Sequence, residues 1–359
     1  MQNPYPHLFT PVKLGAIELK NRIVMAPLTR ARTEVDHIPT DLMAEHYAQR
    51  ASGGLIIAEA TMAMEGCSSF WKEPGIYSDA QIAGWKKVTD AVHAKGGKIV
   101  LQIWHGGRTC HPALNNGKTP VAPSAIAVED EVHTPEGKLP YTVPHALTLE
   151  EIPEIIEGFK QAAINAKTAG FDGVEVHGAN GYLLDQFLRD GSNQRTDSYG
   201  GSIENRARLL LEVLTSVTEV WGSERVGLRI SPVNSYNSMI DSDPVELTKW
   251  LSERLNDFNL AYLHVMRSDF FGVQQQDVIS VAEEIYQGNL MGNMGYDASE
   301  AEAVIAKGKQ AAVAFGVIYL ANPDLPERFK AGAELNDANP DTFYTPGAEG
   351  YTDYPFMKA

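Results

Sequence analysis

Residues 173–189 read GVEVHGANGYLLDQFLR, a short apolar strand followed at once by a helical run. Three hydrogen-bonding side chains, His177, Asn180 and Tyr182, fall where that strand ends. Such a group suits a carbonyl compound, because two uncharged donors can hold its oxygen and a phenol can release a proton. A loop of polar capping residues is the alternative interpretation, and this stretch alone does not decide between the two.

The rest of the chain repeats the same order of apolar strand and amphipathic helix. Apolar runs predict eight strands, at 22–27, 54–61, 98–105, the start of 173–189, 226–231, 261–266, 289–295 and 311–316. Strands that are apolar on both faces are typical of a parallel sheet covered by helices. Eight such units favour an α/β fold of the (β/α)₈ TIM-barrel type over an open sheet. No GxGxxG opens a helix after a strand, which disfavours a Rossmann domain.

Several segments outside this repeat also have recognisable patterns. The first twenty residues predict a hairpin with Gly15 at its turn, and residues 106–146 are rich in Pro, Gly and Asn. We expect the second segment to be an insertion after strand three that caps the barrel and contains a hairpin. Ser78 with Gln81, and Thr148 with Glu151, predict capping boxes at two helix starts. We therefore expect one barrel domain over residues 1–359, with residues 106–146 inserted.

Composition excludes several classes of protein. The 359 residues carry 30 Lys and Arg against 46 Asp and Glu, a net charge of −16, which disfavours binding to nucleic acid or to an anionic membrane. Two cysteines, Cys67 and Cys110, are too few for a disulfide scaffold or a cysteine-ligated iron–sulfur cluster. We find no signal-peptide pattern and no apolar run near the ~20 residues of a membrane helix, so we expect a cytoplasmic protein.

Polar residues and glycines mark the predicted strand ends, where barrel enzymes carry their chemistry. Arg229 lies inside an apolar strand, and an unpaired buried charge is expensive. Either an electron-rich ligand or a buried carboxylate such as Glu175 satisfies it. Gly295 and Gly316 follow strands seven and eight, where many barrels bind phosphate through backbone N–H groups. His105 and His111 show no metal-ligand spacing, so we predict no metal site.

With these residues in view, the chain resembles the old yellow enzyme family of flavin-dependent ene reductases, and within it the bacterial N-ethylmaleimide reductase-like branch. The similar segments span nearly the whole chain, and the last three are the most specific. They read NRIVMAPLTR, GGLIIAEAT, LQIWHGGR, GANGYLLDQFL, SNQRTDSYGGSIENRARLLLEV and GAEGYTDYP.

The resemblance implies that tightly bound FMN lies at the barrel mouth, with NADPH or NADH as hydride donor. It implies that the flavin contacts backbone at Pro27, Leu28 and Ala60, the Thr29 side chain, and the side chains of Gln102 and Arg229. It implies phosphate binding by backbone at Met294, Gly295, Gly316 and Val317. His177 and Asn180 then hold the substrate oxygen, Tyr182 donates a proton, and Phe70, Trp104 and Tyr351 line the pocket.

The implied activity is reduction of the C=C bond of enones, enals or maleimides by a monomeric enzyme. One departure concerns Val317, since many members of the family place arginine there, and the phosphate then lacks one charged contact. Asn180 stands where relatives carry His or Asn. Two alternatives are a non-redox barrel lyase or isomerase acting on a phosphorylated substrate, and a flavin-binding protein without turnover. The first needs a strand-end lysine or paired carboxylates, and the sequence has neither.

Overall fold

The computed structural model describes residues 3–358 and contains a closed barrel of eight parallel strands, which confirms the predicted fold. Each strand pairs with its neighbour in sequence, and the last pairs with the first. The barrel strands are β1 (Ile23–Met25), β2 (Leu55–Met62), β3 (Ile99–Trp104), β4 (Gly173–Gly178), β5 (Val226–Ile230), β6 (Tyr262–Met266), β7 (Leu290–Asn293) and β8 (Ala312–Phe315).

Helices follow the strands and cover the outside of the barrel. They are α1 (Asp41–Gln49), α2 (Asp79–Ala94), α3 (Ile152–Thr168), α4 (Leu183–Leu188), α5 (Ile203–Trp221), α6 (Pro244–Leu255), α7 (Val278–Ile285), α8 (Ala298–Ala306), α9 (Val317–Ala321) and α10 (Leu325–Ala331). Residues 3–358 contain no helix with both the length and the apolar character to cross a membrane.

The two predicted capping boxes have different outcomes. The Ser78 box is present, since its hydroxyl accepts from the Gln81 N–H and the Gln81 side chain accepts from the Ser78 N–H. The Thr148 box was wrong, because α3 begins only at Ile152 and the Thr148 hydroxyl caps nothing. Of the two hydrogen bonds of a capping box, only the one to the glutamate is present: the Glu151 carboxylate accepts from the Thr148 N–H at 2.7 Å.

The barrel interior is closed at the amino-terminal ends of its strands by the predicted hairpin, Val12–Leu14 paired with Ile17–Leu19. Its apolar side chains pack in one cluster with inward-facing residues of the strands, including Val24, Leu55 and Met291. Gly15 is required at the turn, because its φ is +57° and a Cβ there would lie 2.2 Å from the Glu224 carbonyl oxygen. The opposite end of the barrel is thereby left for a site.

The inserted segment contains the expected hairpin, Glu131–Thr134 paired with Gly137–Pro140. Residues of that hairpin and the following Tyr141 border a cavity at the barrel mouth. This position supports a capping role for residues 106–146, and the assignment of the chain to one domain with an insertion stays a prediction.

Candidate active site

Two cavities lie at the carboxyl ends of the barrel strands. The first, of about 430 Å³, we call the tyrosine cavity. The second, of about 280 Å³, we call the glycine cavity. The tyrosine cavity is lined by residues that include Phe70, Trp71, Tyr141, Tyr182, Tyr236 and Tyr344. The glycine cavity is lined by residues that include Pro27, Leu28, Arg229, Phe270, Met294, Gly295, Gly316 and Val317.

The structure brings three predicted aromatic residues of the site together. The Tyr182 ring packs edge-on against Trp104 at 4.2 Å between centroids and lies 5.4 Å from the His177 ring. Ala60 belongs to the same apolar cluster, and Phe70 packs against it. The strand-two register shifts between Ala58 and Thr61, a bulge that changes the direction of the chain beside this cluster.

Asn180 is held by groups that the sequence did not reveal. Its φ of 58° is a left-handed conformation that asparagine tolerates. Its N–H donates to Ser231 Oγ at 2.7 Å, and its Oδ1 accepts from Asn234 Nδ2 at 2.9 Å. Asn234 is fully buried, and its own Oδ1 accepts from the Phe270 N–H at 3.3 Å. Because Oδ1 accepts from Asn234, the Asn180 amide keeps both Nδ2 hydrogens to donate.

Burial sets the protonation of the two ring residues. It lowers the pKa of His177 well below the usual value, and the nearby charges of Arg229 and His264 add to that effect. The imidazole is therefore neutral at pH 7 and can donate one hydrogen bond. Burial also raises the pKa of Tyr182 well above the usual value, with neighbouring tyrosines contributing. The Tyr182 phenol therefore keeps its proton at pH 7.

The structure contradicts the placement of Tyr351 in the pocket. Tyr351 is fully buried and stacks on His46 at 3.9 Å between ring centroids. It also lies beneath the Arg30 and Arg32 guanidinium groups. Tyr344, seven residues earlier, lines the tyrosine cavity instead and stacks on Phe70 at 5.8 Å. The carboxy-terminal segment has no helical or strand period, so the sequence did not indicate which of its tyrosines faces inward.

Gln102 lies two register positions deeper in the barrel than Arg229, because Gln102 pairs with Glu175 of β4 and Arg229 pairs with His177. Gln102 Nε2 donates to Glu175 Oε1 at 2.7 Å, which leaves the Gln102 carbonyl oxygen as an acceptor. Glu175 does not satisfy Arg229 by direct contact, since its other oxygen bonds His264 at 2.9 Å. Arg229 donates instead to Asn293 Oδ1 at 2.8 Å, and its Nε–H finds no acceptor among residues 3–358.

Gly295 and Gly316 border the glycine cavity, and Val317 beside them is 46% exposed. A Cβ on Gly316 would meet only Leu28 Cδ2, at 3.8 Å, so the backbone is open to a ligand. Thr29 follows Pro27 and Leu28 and is half-buried. An open glycine backbone beside a buried guanidinium with a free N–H suits a ligand that carries both an anionic group and a polar ring. These residues therefore fit FMN.

The residues considered for other chemistry have local structural roles. His105 Nδ1 accepts from the Gly107 N–H at 2.9 Å, and His111 Nδ1 accepts from the Ala113 N–H at 3.1 Å. No group of three potential metal ligands occurs within the described part of the chain. Cys67 and Cys110 are both buried, and burial raises the pKa of each thiol, so neither is an activated nucleophile.

A barrel with these side chains at its carboxyl end fits a flavin-dependent oxidoreductase. Comparison with known proteins gives the family: the model of the NADH:flavin oxidoreductase / NADH oxidase family matches residues 7–336. The chain belongs to that family.

Named relatives agree with this assignment. The chain is 51% identical over 356 residues to a protein of Leishmania infantum named probable flavin mononucleotide-dependent alkene reductase, covering 98% of this chain and 97% of that one. The old yellow enzyme from Trypanosoma cruzi superposes with a TM-score of 0.96 at 45% identity, covering 99% and 100% of the two chains. Morphinone reductase superposes with a TM-score of 0.94 at 46% identity, covering 99% and 98%.

These findings confirm the predicted old yellow enzyme family and an FMN-dependent oxidoreductase that uses a nicotinamide cofactor to reduce unsaturated compounds. They do not support the non-redox lyase or isomerase. The assignment to the N-ethylmaleimide reductase-like branch stays a prediction, because these relatives do not test it.

Proposed function

We propose that the enzyme reduces the C=C bond of α,β-unsaturated carbonyl compounds in the tyrosine cavity, with His177, Asn180 and Tyr182 as the residues that contact substrate. The observation that carries this proposal is the grouping of a neutral buried imidazole, an asparagine amide with free hydrogens and a protonated phenol at one strand end.

Each of the three groups has a role that matches its protonation state. The His177 ring and the Asn180 amide donate to the carbonyl oxygen, on which negative charge develops as the double bond is reduced. Donors fixed before the reaction stabilise that charge without reorganising. Tyr182 gives its proton to the α-carbon and recovers one from solvent.

Bound FMN would supply the redox chemistry, which is hydride transfer from NAD(P)H to the C=C bond of the substrate. The side chains of Gln102 and Arg229 and the backbone at Pro27, Leu28 and Ala60 would hold its ring. The Thr29 hydroxyl would give a further hydrogen bond to the ring. Backbone at Met294, Gly295, Gly316 and Val317 would hold the phosphate in the glycine cavity, and the open backbone at Gly316 supports this placement.

Aromatic side chains determine which substrates enter. Phe70 and Tyr344 form apolar walls that suit a flat enone, enal or maleimide, and Trp104 supports Tyr182 from behind. The hairpin at Glu131–Thr134 borders the cavity from the inserted segment and limits the size of the substrate at the entrance.

A visible absorption spectrum of the purified protein tests the proposal. We expect an oxidised-flavin spectrum that bleaches on anaerobic addition of NADPH or NADH and returns on addition of 2-cyclohexenone. A flavin that bleaches but is not reoxidised by the enone would instead support a binding protein without turnover. A monomeric state and a cytoplasmic location stay predictions, which gel filtration and cell fractionation would test.

A further inference from the structure

We propose that Arg267, paired with Glu300, is a positioning residue for the cofactor phosphate. It fixes the backbone from Met294 to Tyr296 so that two N–H groups face the glycine cavity. This inference rests on the proposed function, because it takes the glycine cavity as the phosphate site.

Arg267 follows β6, and its guanidinium lies directly behind the loop that follows β7. Its Nε donates to the Met294 carbonyl at 2.8 Å, and its Nη2 donates to the Gly295 carbonyl at 3.0 Å. The Glu300 carboxylate accepts from both terminal nitrogens, and the guanidinium stacks on the Tyr296 ring at 3.7 Å. One side chain therefore holds two consecutive carbonyls and is itself held from two sides.

Because the peptide unit is planar, the two carbonyl contacts also fix the direction of the N–H groups that follow them. The described residues contain no cis peptide, and in a trans peptide the C=O and the following N–H point in opposite directions. Holding the carbonyls of Met294 and Gly295 towards Arg267 therefore directs the N–H groups of Gly295 and Tyr296 away from it. Neither N–H donates to an acceptor within residues 3–358, and both residues line the glycine cavity.

The loop conformation requires an external contact of this kind. Met294 has φ = +83°, a region that residues other than glycine rarely occupy, and Gly295 follows with φ = +71°. Such a conformation persists only where surrounding contacts enforce it. The Arg267 hydrogen bond to the Met294 carbonyl is such a contact.

One observation indicates that the cavity receives an anionic, electron-rich ligand. Arg229 lines it and is 6% exposed, with its Nε–H unsatisfied. Val317, also in the lining, brings no charge to the cavity, so backbone donors carry more of the phosphate binding here. Because Glu300 already neutralises Arg267, the contribution of Arg267 comes through loop geometry and not through net charge.

The test compares FMN with riboflavin, which lacks the phosphate, in fluorescence titrations of apoprotein. We expect Arg267→Gln to weaken FMN binding at least tenfold and to change riboflavin binding less than twofold. Arg267→Lys retains the charge but cannot bridge two carbonyls and a carboxylate, so it should weaken FMN binding at least fivefold. Glu300→Gln should shift the FMN-to-riboflavin ratio in the same direction, and it serves as the second variant if the Arg267 variants do not fold.

Arg254→Gln is the matched control, since Arg254 also pairs with an acid, Asp257, and lies near a ring, Trp250, but on the outer surface. It should leave both affinities unchanged. An unchanged FMN-to-riboflavin ratio in Arg267→Gln would overturn the inference, as would full FMN affinity in Arg267→Lys. If the wild-type protein binds FMN and riboflavin equally, the phosphate contributes nothing to binding. The placement of the phosphate in the glycine cavity, on which this inference rests, is then wrong.

Discussion

Removal of one hydroxyl group, in Tyr182→Phe, separates proton donation from every other step of the proposed reaction. The phenylalanine ring keeps the edge-on packing against Trp104 and the place beside His177. The unfolding free energy should therefore fall by about 1 kcal/mol at most, the value of one hydrogen bond. A general acid supplies roughly 10²–10⁴ in rate, or about 2.7–5.4 kcal/mol of barrier. The variant should bind FMN and accept hydride from NADPH or NADH at wild-type rates but reduce enones 10²–10⁴ times more slowly.

Stopped-flow measurement of flavin reoxidation by 2-cyclohexenone and by a quinone provides the assay. A quinone needs no proton on carbon, so its reduction should slow far less than that of the enone. Equal slowing with both acceptors would indicate general damage to the tyrosine cavity. An unchanged enone rate would refute the reasoning, because water or another residue would then supply the proton.

The remaining predictions concern other parts of the site and the pH dependence of stability. His177→Ala removes one donor to the carbonyl oxygen and should slow flavin reoxidation by 2-cyclohexenone about 10²–10³-fold, with flavin reduction little changed; equal wild-type rates in both half-reactions would make the residue structural. Val317→Arg should tighten FMN binding about tenfold or more, the value of a charge-assisted hydrogen bond, and an apoprotein titration that shows no gain would mean that the arginine does not reach the phosphate. Burial raises the pKa of the Glu73 carboxyl to about 8 from 4.5, so the folded state holds this proton more tightly than the unfolded state does. The unfolding free energy that the bound proton contributes is therefore lost as pH rises from about 4.5 to 8. Relative to Glu73→Gln, the wild-type unfolding free energy should fall by roughly 1 kcal/mol per pH unit in that window, as urea titrations at several pH values would measure.

The sequence by itself determined the fold and the chemical character of the site. Eight apolar runs alternate with amphipathic stripes, and both periods arise from local backbone geometry, which a single chain displays directly. The capping box at Ser78 is equally local, since its two partners lie three residues apart. Residues at the end of a strand or a few positions beyond it, such as His177 and Tyr182, were therefore predictable as members of one rim.

Only the tertiary structure decided which residues meet across the chain. Tyr344 lines the tyrosine cavity, whereas Tyr351 stacks on His46. The sequence could not predict this difference, because the carboxy-terminal segment has no helical or strand period that shows which side chains face inward. Asn234 holds the Asn180 amide across 54 positions of sequence, and Arg267 contacts the Met294 carbonyl across 27. Such contacts depend on how separate strands and their loops pack against each other, and hydrophobic periodicity carries no information about them.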